Sequence, residues 1–145
     1  MKNIQAIMTR GVITAHMDDT LEEIEQTMSV NKIGHIFIVD QGKLRGIISD
    51  VDLKRRKSFL ADKDIANTRE SHTLSLKAHQ FMSRGLKSLR PDAPIIAAID
   101  LIIEYNIHCL PIVDRHDHLI GVVSDTDLLK EFRNLLDWER LREER

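Results

Sequence analysis

The chain repeats itself. Ile7-Met8-Thr9-Arg10-Gly11 corresponds to Phe81-Met82-Ser83-Arg84-Gly85, an offset of 81 − 7 = 74 positions. At that offset Asp18 meets Asp92, Ile33 meets Ile107, and Ile38-Val39-Asp40 meets Ile112-Val113-Asp114. The second copy then gains one residue in a polar turn. Beyond it, Gly46-Ile47-Ile48-Ser49-Asp50-Val51-Asp52-Leu53 matches Gly121-Val122-Val123-Ser124-Asp125-Thr126-Asp127-Leu128. A register held along both copies and broken only at a turn means two versions of one supersecondary unit. One copy of roughly fifty residues buries little apolar surface alone. The expected solution is a pair packed about a pseudo-twofold axis, with two equivalent crevices between the copies.

Each copy reads as β-α-β-β-α, an α/β fold. An opening strand ends in an Asp-rich turn, Met17-Asp18-Asp19-Thr20 or Pro91-Asp92-Ala93-Pro94. In the first copy Leu21, Ile24 and Met28 then fall on one helical face. In the second copy Ile95 to Ile103 is apolar almost all round, which predicts deeper burial. Two short apolar strands joined by a polar turn follow, Ile36–Val39 with Leu44–Ile48 and Leu110–Val113 with Leu119–Val123. A second helix starts at Ser49 and at Ser124. The repeats are placed at 1–57 and 81–133. The polar connection 58–80 is long enough to require some helix of its own. Residues 134–145 extend the last helix. Its apolar stripe, Leu128, Phe132, Leu135, Trp138 and Leu141, calls for cover from its own domain or from a partner subunit.

Charge and cysteine usage narrow the function. The formal net charge is −2, so no broad field draws the chain to nucleic acid or an anionic membrane. The basic run Lys54-Arg55-Arg56-Lys57 is placed at the end of a helix, where cations complement the dipole. The single cysteine, Cys109, rules out an internal disulfide. No apolar run reaches the ~18 residues of a membrane span. A cytoplasmic protein is expected.

The motif closing each copy carries the chemistry. Ser49 or Ser124, followed three residues later by Asp52 or Asp127, is a helix-capping pattern. Gly46 and Gly121 fit tight turns on that reading. The same junction can also bind a ligand. Backbone N–H groups at a helix N-terminus attract a phosphate, and the Ser hydroxyl adds a donor. An Asp one turn in can accept from a ribose diol, and the apolar strands leave a slot for a base.

Two strand-helix-strand-strand-helix copies, each closing in Gly-hydrophobic-x-Ser-x-x-Asp, resemble the CBS domain pair, or Bateman module. Ile107-His108-Cys109-Leu110-Pro111-Ile112-Val113-Asp114 is similar to the family's central strand. The resemblance implies a regulatory module that binds AMP, ADP, ATP or another adenosine derivative, requires no metal, and forms a homodimer. A free-standing pair would act on a separate regulated protein. The stronger site is expected at Ser124, on the phosphate side, and Asp127, on the ribose. His108 stands where some members turn a His to the phosphates. Ile13 and Gly34 would face the base. The related site would use Ser49 and Asp52, with Lys87 and Cys109 opposite. Phe37 replaces the expected Pro there, and Gly34-His35 stands in place of His108-Cys109, which makes this the weaker site.

His116-Asp117-His118 offers too few ligands for zinc and reads first as a solvated turn. Cys109, inside an apolar strand, reads as core rather than nucleophile. No phosphate loop of the Walker kind, nucleophile elbow or paired-His helix is present, which points away from an enzyme. The rival reading is a ligand-free module for dimerisation or protein docking.

Overall fold

The computed structural model describes residues 2–61 and 72–145. It divides into two compact units. The first is residues 13–86; the second joins the N-terminal residues through Val12 to Lys87–Arg145.

In the first unit, β1 (Thr14–His16) runs parallel to β2 (His35–Asp40), which pairs antiparallel with β3 (Lys43–Ser49). α2 (Leu21–Asn31) and α3 (Asp50–Ala61) accompany this sheet. Thr20 opens α2 with a reciprocal capping box to Glu23, as the Asp-Asp-Thr sequence suggests. Ile36, Ile38 and Ile48 from the sheet meet Leu21, Ile24 and Met28 from α2 and Leu53 from α3. The helical period of α2 and the alternation of β2 thus point one apolar set at another.

The second unit repeats the plan with α5 (Ile95–Tyr105), β4 (Cys109–Val113), β5 (Leu119–Ser124) and α6 (Asp125–Glu143). β4 and β5 form a hairpin whose register slips between Ile112 and Val113, matching the slip between Ile38 and Val39. α2 and α5 both end on a left-handed residue, Lys32 and Asn106. The opening strand of the second copy shrinks to one parallel bridge between Leu89 and Ile112. Leu89 donates to the Pro111 carbonyl and accepts from Val113. Pro91, which has no N–H to give, halts the ladder there.

The spatial units are not the sequence copies, because the opening segments are exchanged. α1 (Ile4–Ile7) packs Ile4 and Met8 into the second core, against Leu110, Ile112 and Val123. α4 (Ala78–Phe81) packs Ala78 and Met82 into the first. Reciprocal backbone bridges fix both: Thr9 with Val122, and Ser83 with Ile47. Asn3 with Pro94 and Lys77 with Thr20 repeat the symmetry. Helix in the connection is present at 72–75 and in α4; residues 62–71 lie outside the described residues.

Gly46 and Gly121 sit inside β3 and β5 rather than in turns. Each leaves room for an exchanged methionine. A Cβ on Gly46 would stand 2.6 Å from Met82 Sδ and 2.8 Å from the Ser83 carbonyl oxygen. On Gly121 it would stand 2.8 Å from Met8 Sδ and 3.0 Å from the Thr9 carbonyl oxygen.

Two further expectations change, and of the two covers offered for the C-terminal stripe its own domain is not the one. Only Ala98 of α5 is fully buried, and Ile96 and Ile103 are exposed, so the all-round apolar sequence does not mean deep burial. The basic run lies inside α3, not at its end, and is held by side chains. Lys54 faces Asp50, Arg56 lies over the Phe81 ring, and Lys57 pairs with Glu25 at 2.7 Å. On α6, Leu128 packs on the core, but Phe132, Leu135, Trp138 and Leu141 are all more than half exposed, so their own unit does not cover them. Among the described residues no helix is long and apolar enough to cross a membrane.

The Gly46→Ala variant tests the close approach. Overpacking of this kind costs about 1–3 kcal/mol. Urea unfolding should give that loss, and pairing it with Met82→Ala should recover only part, because the Ser83 carbonyl remains in the way.

Candidate functional site

Each unit places its Ser-x-x-Asp motif where its last strand turns into the helix that follows. In the second unit the capping reading is fully realised. Ser124 Oγ accepts from the Asp127 N–H at 3.1 Å, and Asp127 Oδ2 accepts from the Ser124 N–H at 2.9 Å. The Asp125 N–H donates to the His108 carbonyl at 3.0 Å, and the Thr126 N–H to Asp125 Oδ1 at 2.8 Å. The first three N–H groups of α6 are therefore all occupied. The free donors expected to cradle a phosphate are not free. What the junction still offers is the Ser124 hydroxyl proton and the second oxygen of Asp127, a donor and an acceptor side by side.

His108 joins them. Its Nδ1 lies 3.1 Å from Asp125 Oδ2, and both side chains are open to solvent. Cys109 pairs across the hairpin with Ser124. Burial, and then the charge of Asp125, push its thiol up to about 11. Ser124, Asp127, His108 and Cys109 thus form one cluster. The carboxylate of Asp125 is its unforeseen member; an acid at the first helical position, one strand away from a His, was the available signal.

The first unit is simpler. Ser49 Oγ accepts from the Asp52 N–H at 3.0 Å. The Asp50 N–H donates to the Gly34 carbonyl at 2.9 Å, so Gly34 stands beside this junction as His108 stands beside the other. Asp50 turns to Lys54 at 3.6 Å. Phe37, at the place of Pro111, is buried. Ile13 is exposed at the start of this unit. Lys87 and Cys109 belong to the second unit, where the Lys87 ammonium lies 4.6 Å from the centre of the Tyr105 ring.

A cavity of about 380 Å³ in the first unit is lined by Met28, Ile33, Gly34, Asp50, Leu53 and Lys54 among others, and not by Ser49 or Asp52. The His116–His118 turn is organised by Asp114. Its Oδ1 accepts from the N–H groups of His116 and His118, and Oδ2 faces His118 Nδ1 at 3.2 Å. Partial desolvation works against ionisation there, yet these bonds hold the carboxyl below its usual range. Asp114, like the turn it closes, has a structural task, and no group of three or more metal-binding side chains occurs among the described residues.

The CBS domain model matches the sequence twice, over residues 4–58 and 78–134. The chain belongs to the CBS domain family. It is 30% identical over 128 residues to the CBS domain-containing protein YhcV of Bacillus subtilis, covering 88% of this chain and 84% of YhcV. The CBS domain pair of MJ0100, solved with 5′-methylthioadenosine and S-adenosyl-L-methionine, superposes with a TM-score of 0.71 at 26% identity. That match covers 90% of this chain and 99% of the other. CBSX2, solved with AMP, shares the fold at a TM-score of 0.79 and 18% identity, over 93% of this chain and 98% of its own. The α/β tandem repeat of a CBS pair is therefore the architecture of this protein, and both Ser-x-x-Asp junctions lie inside the matched segments.

A thiol held in its protonated form is a poor nucleophile. Cys109 should react with iodoacetamide at pH 8 far more slowly than after unfolding, as read by intact mass. Because its proton is held more tightly in the fold, stability should fall as the pH rises above 9, the ordinary thiol value, toward 11. Cys109→Ser should flatten that decline.

Proposed function

We propose that this CBS pair is a non-catalytic regulatory module that binds an adenosine derivative. The expected nucleotides are AMP, ADP and ATP, and no metal is required. The observation that carries the reading is the unspent valence at the second-repeat junction. Ser124 keeps a hydroxyl proton to donate and Asp127 keeps an oxygen to accept, although both already cap α6. In this reading Asp127 holds the ribose hydroxyls, Ser124 and His108 face the 5′ substituent, and Ile13 and Gly34 flank the base. A second, weaker site is assigned to Ser49 and Asp52 with Lys87 and Cys109. The adenosyl ligands bound to the MJ0100 pair support the ligand class. Binding would favour one arrangement of the repeats by its differential affinity for it. The module is assigned to the cytoplasm as a homodimer.

Thermal unfolding with millimolar AMP, ADP, ATP or S-adenosylmethionine tests this. A ligand at a hundred times its Kd stabilises by about 2.7 kcal/mol, a rise of roughly 5–15 °C for a domain of this size. Asp127→Ala should remove the shift. An unchanged shift in that variant would overturn the site.

One observation favours a second reading, a module for protein association. Phe132, Leu135, Leu136, Trp138 and Leu141 leave about half of each side chain in water. Exposed apolar surface of this extent marks an interaction site. Light scattering should give twice the chain mass for the wild type and the monomer mass for a Leu135→Ser, Trp138→Ser double variant.

A further inference from the structure

The second-repeat junction carries a carboxylate where a phosphate chain would need a donor. Asp125 and Asp127 both lie in the first turn of α6, and the N–H groups of residues 125 to 127 are already bonded within the protein. An ionised carboxylate only accepts hydrogen bonds, so at the 3.1 Å contact His108 Nδ1 is the donor and Asp125 Oδ2 the acceptor. The Asp125 carboxylate, half exposed beside the Ser124–Asp127 cap, repels a phosphate oxygen and receives a hydroxyl or ammonium hydrogen. The equivalent acid in the first repeat is differently placed. Asp50 has Lys54 one turn later at 3.6 Å, whereas the position one turn after Asp125 is Leu129.

We propose that the Asp125–His108 pair makes the second-repeat site select an adenosyl compound whose 5′ substituent is uncharged or cationic, and disfavour a polyphosphate. The inference rests on the adenosine-binding reading above and narrows it. Asp125 sets the sign of charge that the site accepts, and His108, 3.1 Å away, holds that carboxylate in place. Ribose and base recognition are left to the other groups.

Isothermal titration of the full chain with 5′-methylthioadenosine and with ATP, at low and at high salt, tests the pair. The uncharged compound should bind at least about 10-fold more tightly than ATP, the scale of one charge contact that water largely screens. Salt should narrow the gap by weakening the repulsion of ATP. Asp125→Asn keeps the side-chain shape and should bring the two affinities together, mainly by improving ATP. Asp50→Asn should leave the ratio unchanged. ATP binding as tightly as the thioether to the wild type, or a ratio that Asp125→Asn does not move, overturns the selectivity while leaving adenosine binding intact. Failure of every adenosyl compound to bind would overturn both.

Discussion

Two methionines pack directly on two glycines in this molecule. Met8 lies on Gly121 and Met82 on Gly46, each closer than any β-carbon would allow. The backbone bridges from Thr9 to Val122 and from Ser83 to Ile47 run beside these contacts. Neither core is complete without its exchanged segment, since Ile4 and Met8 are buried with the second repeat's strands and Ala78 and Met82 with the first's. The same two strands, β3 and β5, end at Ser49 and Ser124. The position of each candidate junction therefore follows from how a distant segment seats on its strand. The motif glycine and the motif serine act together for that reason: one admits the methionine, the other opens the helix three residues further on.

A second economy operates at the junction itself. A capping box closes two helix-terminal donors against two side chains. In the second unit it uses one lone-pair site of Ser124 and one oxygen of Asp127, and leaves the rest of each group facing outward. Capping and binding are therefore compatible uses of one pair of residues. What capping does remove is the backbone anion hole, because the Asp125 and Thr126 N–H groups are also spent on neighbours. Any recognition here has to run through side chains, and those are a hydroxyl, an imidazole and two carboxylates.

Much of this was legible in the chain because it is local or periodic. The internal repeat, the order of elements, the capping serines and the hairpin turns each follow from spacing within a few residues. The exchange of opening segments was not legible, since periodicity says which residues are apolar but not which distant strand they meet. Gly46 and Gly121 illustrate the difference: a glycine before a helix reads as a turn, while here it is a strand residue under a side chain from more than thirty positions away. The burial of α5 was misjudged for a related reason, as composition cannot tell a helix enclosed by its own domain from one whose outer face stays bare. Pro91 and Pro111 were visible, and their missing N–H groups stop the ladder on either side of the single Leu89–Ile112 bridge. His108 and Asp125, seventeen positions apart, become neighbours only through the β4–β5 hairpin.

The two repeats have the same frame but not the same chemistry. Both junctions receive a backbone carbonyl, from Gly34 and from His108, but Gly34 adds no side chain where His108 adds an imidazole. Lys54 answers Asp50, while Leu129 leaves Asp125 to His108. Phe37 puts a large buried ring where Pro111 leaves a small one. Each difference lies on or next to a junction, whereas the paired positions that build the cores, Ile4 with Ala78, Met8 with Met82, Ile38 with Ile112 and Ile48 with Val123, stay apolar throughout. Packing constrains the frame in both copies equally, because either core loses stability when its methionine or isoleucine is lost. The junction side chains carry no such burden beyond the cap, and so they are free to differ. A duplicated scaffold with divergent junctions has two helix caps of unequal charge and side-chain chemistry; under the proposed function the second would answer to the ligand while the first serves chiefly to complete the fold.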